Sequence, residues 1–78
     1  MAGTADASEL VRFMAQALVA NVDAVAVAEV DGGRTLELET SPDDRGRVIG
    51  RQGRVAKAMR AVLAASGVGA DLRLEIVD

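Results

Sequence analysis

Apolar and polar residues follow two different periods along this chain, one typical of helices and the other of strands. Near the N-terminus the period is helical, and Asp6 and Glu9 have the spacing of a capping box, so a first helix is predicted over about 7 to 20. A valine-rich strand is predicted over 24–30 and ends at Asp31-Gly32-Gly33, which suits a tight hairpin. The apolar stripe of the helix, expected to face the core, comprises Leu10, Phe13, Met14, Ala17 and Leu18.

Two further strands have the alternation of a sheet with one buried and one wet face. On the return strand of the hairpin, Leu36 and Leu38 alternate with Glu37 and Glu39. Residues 72–76 repeat the pattern near the C-terminus, with leucine and isoleucine at every second position. The sheet is therefore predicted to have three strands.

Two helices are predicted between the second and third strands. Ser41 as N-cap, Pro42 at the first helical position and Asp44 three residues after the cap indicate the start of a short helix, which ends at Gly50. A longer helix follows over about 53–66. Its core face is expected to carry Val55, Met59, Val62 and Leu63, and its outer face Arg54, Lys57 and Arg60.

The predicted fold is α+β, in the order α-β-β-α-α-β, with a three-stranded sheet and three helices packed on one face. All 78 residues are assigned to one domain, since no linker divides the chain, and residues 1–6 are expected to be flexible. A domain of this size buries only about 60% of its unfolded surface, so stabilisation by a partner is plausible.

Positive charge is concentrated in one part of an acidic chain. The formal net charge is −3, yet six of the nine basic residues lie between 45 and 60, where no acid occurs. This distribution predicts a local anion site rather than a uniformly basic surface.

Several classes of function are excluded or disfavoured. The chain has no cysteine and no histidine, so a disulfide framework, an ordinary zinc site and a Ser-His dyad are excluded. Asp43 and Asp44 are better explained by helix capping than by acid-base catalysis, and no cofactor is expected. The chain is therefore interpreted as a non-enzyme. It has neither a signal peptide nor an apolar run long enough for a membrane span, so a cytoplasmic location with no membrane contact is expected.

Other phosphate-binding and DNA-binding motifs fit less well. The spacing and the Lys-Ser/Thr pair of a nucleotide-triphosphatase P-loop are absent. A DNA-binding helix-turn-helix is disfavoured, because a helix that must cover a sheet is poorly placed to enter a major groove.

The segment Gly50-Arg51-Gln52-Gly53 carries the clearest chemical signal. Glycines at both ends remove the Cβ atoms that would obstruct a phosphodiester near backbone N–H groups. The loop leads into the N-terminus of a helix, where free amides and the helix dipole favour an anion. Arg51, Arg54 and Lys57 add positive charge nearby, so the loop is predicted to contact a sugar-phosphate backbone.

The run from Gly46 to Ala58 resembles the core of a KH domain of the bacterial type II arrangement, and the whole chain resembles the small single-KH proteins of the KhpA family. The resemblance implies single-stranded RNA as the ligand, with Val48 and Ile49 lining the floor of the groove and bases read near Leu36–Glu39. It also implies the role of an RNA chaperone or post-transcriptional regulator. The RNA-binding residues implied or predicted are Arg47, Val48, Ile49, Gly50, Arg51, Gln52, Gly53, Arg54 and Lys57.

A dimer surface is the second candidate site. Ala61, Ala64 and Ala65 would let another helix approach closely, although alanine also serves simply as a good helix former. The resemblance favours a homodimer or a heterodimer with a KhpB-like KH protein. An alternative function is therefore a KH-fold dimerisation module with little RNA binding of its own. Phe13 is the only aromatic residue and is expected in the core, so one domain alone should bind RNA weakly.

Overall fold

The computed structural model describes residues 4–69 and 71–77, and its elements follow the predicted order. The helices are α1 (Thr4–Leu18), α2 (Arg45–Ile49) and α3 (Arg54–Ala65), and the strands are β1 (Ala26–Val30), β2 (Thr35–Glu39) and β3 (Arg73–Ile76). Single 3₁₀ turns lie at Val22–Ala24, Asp31–Gly33, Pro42–Asp44 and Arg51–Gly53. The α+β fold with a three-stranded sheet is confirmed.

The sheet is mixed, with β2 at its centre. β1 pairs with β2 in antiparallel register through the hairpin at Asp31–Gly33, whereas β3 pairs with β2 in parallel register. The parallel pairing requires a crossover, which α2 and α3 supply. The segment with the glycine loop is therefore part of the connection that covers one face of the sheet.

The core lies between that face and the three helices. Every element except β1 contributes a fully buried apolar side chain, and β1 contributes Val27, which is partly buried. The alternation predicted for the strands is confirmed, because Leu36, Leu38 and Leu74 are buried while Glu39 is exposed. The buried apolar set is Ala7, Val11, Ala15, Leu36, Leu38, Val48, Ala56, Met59, Leu63 and Leu74.

Four residues predicted to face the core are exposed instead. Phe13 is 71% exposed and Val62 is 48% exposed, and Ala17 and Leu18 are exposed as well, so these predictions were wrong. The fully buried side chains of α1 are the small residues Ala7 and Ala15 together with Val11. Because α1 packs through these small residues, its larger apolar side chains at the margin of the stripe have no element left to cover them.

The start of α1 also differs from the prediction. The helix begins at Thr4 rather than near 7, so Asp6 lies inside its first turn and is not an N-cap. The capping-box interpretation was therefore wrong, although an acid in the first turn still complements the helix dipole. Of the six residues expected to be flexible, 4–6 are helical and 1–3 lie outside the described residues.

Asp44 has a larger structural role than the helix-start signal indicated. Ser41 makes no side-chain capping bond; its hydroxyl donates to Asp44 Oδ2 at 3.0 Å. Asp44 is only 2% exposed, and its carboxylate accepts the backbone N–H groups of Ala20 at 3.1 Å and Asn21 at 2.9 Å. These bonds join the end of α1 to the start of α2.

The same bonds alter the acidity of Asp44. Its pKa is held below the usual aspartate value, first by the N–H of Asn21 and then by that of Ala20, and to a smaller extent by Ser41 and Arg47. Together these contributions outweigh the opposing effect of burial, which raises the pKa. The group is therefore ionised at neutral pH and acts as a charged structural tie.

Candidate nucleic-acid interface

The glycine loop forms the tight reversal that the sequence predicted. α2 ends at Ile49, and the N–H of Gly50 donates to the carbonyl of Gly46 at 2.8 Å. Gly50 has φ 77° and ψ 170°, a region open essentially to glycine alone, and Gly53 has φ 75° in the left-handed region. Both glycines are thus required by the backbone, and α3 begins immediately after the second one.

Gly50 is also needed for space. A Cβ added at this position would collide with the side chain of Val55 and would lie 2.8 Å from the Val55 backbone nitrogen. A Cβ at Gly53 would meet nothing within 4 Å. The first turn of α3 therefore packs directly against Gly50, which leaves the helix N-terminus open on the outer side of the loop.

Between the two glycines, Gln52 adopts an unexpected conformation. Its φ of 58° places it in the left-handed region, where a side chain other than glycine, asparagine or aspartate is uncommon. Its side-chain carbonyl accepts a hydrogen bond from Arg54 Nη2 at 3.2 Å. This contact holds the Arg54 guanidinium beside the loop.

The cations predicted around the loop are not equivalent. Arg51, Arg54 and Lys57 are exposed, so their charges are available to a ligand. Arg47 instead donates from Nη1 to Asp44 Oδ1 at 2.9 Å, although 56% of its side chain remains exposed. Part of its charge is neutralised by this pair, and its position is fixed by it.

The two apolar residues predicted for the groove separate in the structure. Val48 is fully buried in the core, so it supports α2 from beneath and presents no surface to a ligand, contrary to the expected groove-floor role. Ile49 is half-buried at the end of α2, next to Gly50. Of the pair, only Ile49 has an exposed apolar surface.

The strand predicted to read bases is the central strand of the sheet. Leu36–Glu39 belongs to β2, which is paired on both sides, so its backbone groups are engaged with β1 and β3. A side chain of α3 reaches the edge strand β3, where Arg60 Nε donates to the Leu74 carbonyl at 3.1 Å. Arg60 was assigned only to an outer face, and a helical wheel gave no sign of this contact.

A second surface lies between α1 and α3. It is an open apolar groove of about 310 Å³, lined by Phe13, Met14, Ala17, Leu18, Val55, Ala58, Met59 and Val62. The sequence contained a signal for this groove. The apolar and small residues of the first helix occupy a wider part of the helix circumference than one core-facing stripe needs. We call this surface the α1–α3 groove.

The alanines predicted for a dimer surface are exposed. Ala61, Ala64 and Ala65 all lie on the solvent side of α3, towards its C-terminal end. They are small and apolar as expected, yet the larger exposed apolar side chains lie in the α1–α3 groove. The structure therefore offers two candidate surfaces for association.

Residues 4–69 and 71–77 contain neither a candidate metal-binding cluster nor a candidate membrane-spanning helix. Within these ranges no three acidic side chains are grouped so that they could hold a metal ion. No helix there combines the length and the apolar character that crossing a bilayer would take.

A GxxG loop between two helices that cover a mixed three-stranded sheet defines a KH domain. A family model described as KhpA/KhpB, KH domain, matches residues 8–76. The chain belongs to the KhpA/KhpB family of KH-domain proteins, which are not enzymes.

Curated relatives cover nearly the whole chain. The RNA-binding protein KhpA of Halalkalibacterium halodurans is 49% identical over 88% of this chain and 96% of its own length. The proteins of the same name from Aquifex aeolicus and Streptomyces coelicolor are 42% and 43% identical, each over 90% of this chain and over 94% and 90% of their own lengths. No solved structure gave a significant match.

Proposed function

We propose that this chain binds single-stranded RNA through the Gly50–Gly53 loop. The observation that carries the proposal is the loop itself, a glycine-bounded reversal leading directly into α3, with Arg51, Arg54 and Lys57 exposed around it. Relatives named RNA-binding protein KhpA, 42–49% identical to this chain, support the same ligand.

The phosphate contact has a specific physical basis. α3 has 12 residues, and its first amide, that of Arg54, donates to the carbonyl of Arg51. The N–H groups of the next residues lack partners within the helix, so they and the helix dipole attract an anion. Neither Gly50 nor Gly53 has a Cβ to keep a phosphodiester away from these amides. The exposed cations add attraction that falls with increasing salt.

Bases would lie on the β3 side of this contact. Ile49 offers the half-buried apolar surface next to the loop, and β3 offers the sheet edge that a side chain of α3 reaches. Val48 would contribute only by fixing α2 in place, and Arg47 would contribute a charge oriented by Asp44.

Binding by one domain should be weak. Stacking on an aromatic ring contributes about 1–3 kcal/mol per base in other single-strand binders, whereas the only aromatic side chain here, Phe13, lies in the α1–α3 groove. Useful affinity therefore needs two domains acting together. A cytoplasmic RNA chaperone or post-transcriptional regulator fits short, sequence-tolerant contacts of this kind.

The test is a change of charge at the loop. Arg51→Asp with Gln52→Asp places two carboxylates where a phosphate would bind, and aspartate tolerates the left-handed conformation of residue 52. We expect the affinity for fluorescent single-stranded RNA octamers to fall at least about tenfold, with a weaker dependence on salt between roughly 50 and 200 mM. Circular dichroism checks that the variant is folded.

A matched variant separates the loop from net charge. Arg12→Asp with Gln16→Asp makes the same change of charge on α1, away from the loop. RNA binding should be nearly retained in this control. Equal loss in both variants, or no loss in the loop variant, would contradict the proposal.

Association with a second KH domain is the other candidate function. The observation that favours it is the α1–α3 groove, in which Phe13 is 71% exposed although it is a large aromatic side chain. A second copy packed with α1 against α3 would cover this apolar groove, and a KhpB-type KH domain is the alternative partner. The alanine face at Ala61, Ala64 and Ala65 is the competing surface.

A further inference from the structure

Arg60 is placed differently from the other cations of α3. Its Nε donates to the main-chain carbonyl of Leu74 at 3.1 Å, so the side chain extends from α3 to β3. Lys57, one turn earlier on the same helix, is exposed on the outer side. Arg60 therefore lies across the space between α3 and the sheet, beside the site proposed for the bases.

The carbonyl that Arg60 holds belongs to the free edge of the sheet. The N–H of Arg73 donates to Arg34 at 2.9 Å and that of Val77 donates to Leu38 at 2.9 Å, so these residues direct their polar groups towards β2. Because such groups alternate along a strand, the carbonyl of Leu74 points the other way. The guanidinium is thus fixed at the free edge of β3.

A guanidinium in this position can only donate hydrogen bonds. Its Nε–H is used by Leu74, which leaves the two terminal NH₂ groups as a planar fork. Such a fork matches a base edge with two adjacent acceptors, such as O6 and N7 of guanine or O2 and N3 of cytosine. The Watson–Crick and Hoogsteen edges of adenine each place the N6 amino donor beside a single acceptor, and on either edge the donor would face the arginine.

We propose that Arg60 determines base preference at the nucleotide next to β3, where it favours guanine and cytosine over adenine. This inference rests on the proposed RNA binding by the Gly50–Gly53 loop. It assigns different roles to two cations of one helix: Lys57 attracts any phosphate, whereas Arg60 distinguishes bases.

The test compares RNA octamers that differ only in four central bases. Uridine octamers with a central CCCC, AAAA or GUGU are titrated with the wild type and with Arg60→Lys, Arg60→Gln and Lys57→Gln. The wild type should bind the C and G octamers roughly 5- to 10-fold more tightly than the A octamer, a modest preference for one bidentate contact.

The variants separate base preference from charge. Arg60→Lys keeps the charge and a donor for Leu74 but loses the fork, so the preference should fall to about twofold or less with little loss of overall affinity. Arg60→Gln has a donor and an acceptor, which suits adenine, so the preference should disappear or reverse. Lys57→Gln should weaken all three octamers equally and reduce the salt dependence.

The outcomes distinguish this inference from the function on which it rests. A wild type that binds all octamers equally, or a preference that survives in both Arg60 variants, would overturn the role of Arg60 and leave the phosphate contact intact. A wild type that binds no octamer would overturn both. Thermal unfolding followed by circular dichroism shows whether losing the Leu74 contact has unfolded either variant.

Discussion

The Gly50–Gly53 loop immediately precedes α3 and the α1–α3 groove runs along the same helix, but the two would bind their ligands through different forces. The loop would bind through backbone amides, a helix dipole and exposed cations, so its binding should weaken as salt increases. The groove is lined almost entirely by apolar side chains, and binding there should persist or strengthen with salt. One helix therefore presents an ionic site at its start and an apolar site along its side.

The two surfaces also differ in how they are held in place. The loop is fixed by its own backbone, through Gly50 and Gly53 and the packing of Val55 against Gly50. The groove depends on the position of α1 relative to α3. Val55 belongs to both, since it also lines the groove, but the glycines belong only to the loop and Phe13 only to the groove. A mutation at Phe13 can therefore remove one surface and leave the other intact, and RNA and a second domain could be bound at the same time.

The largest expected effect comes from adding a methyl group inside the loop. Gly50→Ala combines a backbone conformation open essentially to glycine with a collision at Val55, so we expect a loss of about 3 kcal/mol or more in the free energy of unfolding. Gly53→Ala meets only the left-handed strain and should lose about 1–2 kcal/mol. Urea denaturation of the two variants measures both values. Equal losses would mean that Val55 does not pack against Gly50 as described.

The second prediction concerns Asp44, whose carboxylate joins the end of α1 to the start of α2. Asp44→Asn replaces one acceptor oxygen by a donor that faces N–H groups, so the variant should melt at a clearly lower temperature at pH 7. The exposed neighbour Asp43 provides the control, since Asp43→Asn removes the same charge with little change in melting temperature. Differential scanning fluorimetry checks both.

The lowered pKa of Asp44 also predicts how its contribution to stability changes with pH. The folded-state pKa of Asp44 is below its unfolded value, so the ionised group stabilises the fold above about pH 4. That stabilisation is lost as the pH falls through the lowered folded-state pKa, whereas Asp44→Asn never has it. The difference in melting temperature between wild type and variant should therefore shrink below about pH 4, and a constant difference down to pH 2 would contradict the account.

Features that depend on neighbouring residues could be predicted from the sequence, whereas features that depend on distant residues could not. The order of elements and the loop were predictable, because Gly50-Arg51-Gln52-Gly53 determines its conformation from neighbouring residues. The left-handed Gln52 and the buried Asp44 were not, since the first follows from the loop as a whole and the second from backbone groups more than 20 residues away. Phe13 was misplaced because a helical period shows which side chains share a face, but not whether another element covers that face.

The smallest effect on stability, and the sharpest separation of the two surfaces, is expected at Phe13. This side chain is mostly exposed, and serine has a helix propensity close to that of phenylalanine, so Phe13→Ser should change the unfolding free energy of the single chain by only about 0.5 kcal/mol. If the α1–α3 groove holds a second copy, the mass in solution should fall to that of one chain of 8.1 kDa. Sedimentation equilibrium measures this, at low and high salt.

Ala64→Asp is the matched variant for the competing alanine face, because Ala64 is exposed on α3 and does not line the groove. It should leave the mass unchanged, as should the loop variant Arg51→Asp with Gln52→Asp. Dissociation by Ala64→Asp but not by Phe13→Ser would move the interface to the alanines. Because association in the groove would be apolar, a dimer formed through it should survive a salt concentration that abolishes RNA binding. Simultaneous loss of the dimer and of RNA binding would mean that the two surfaces are not independent.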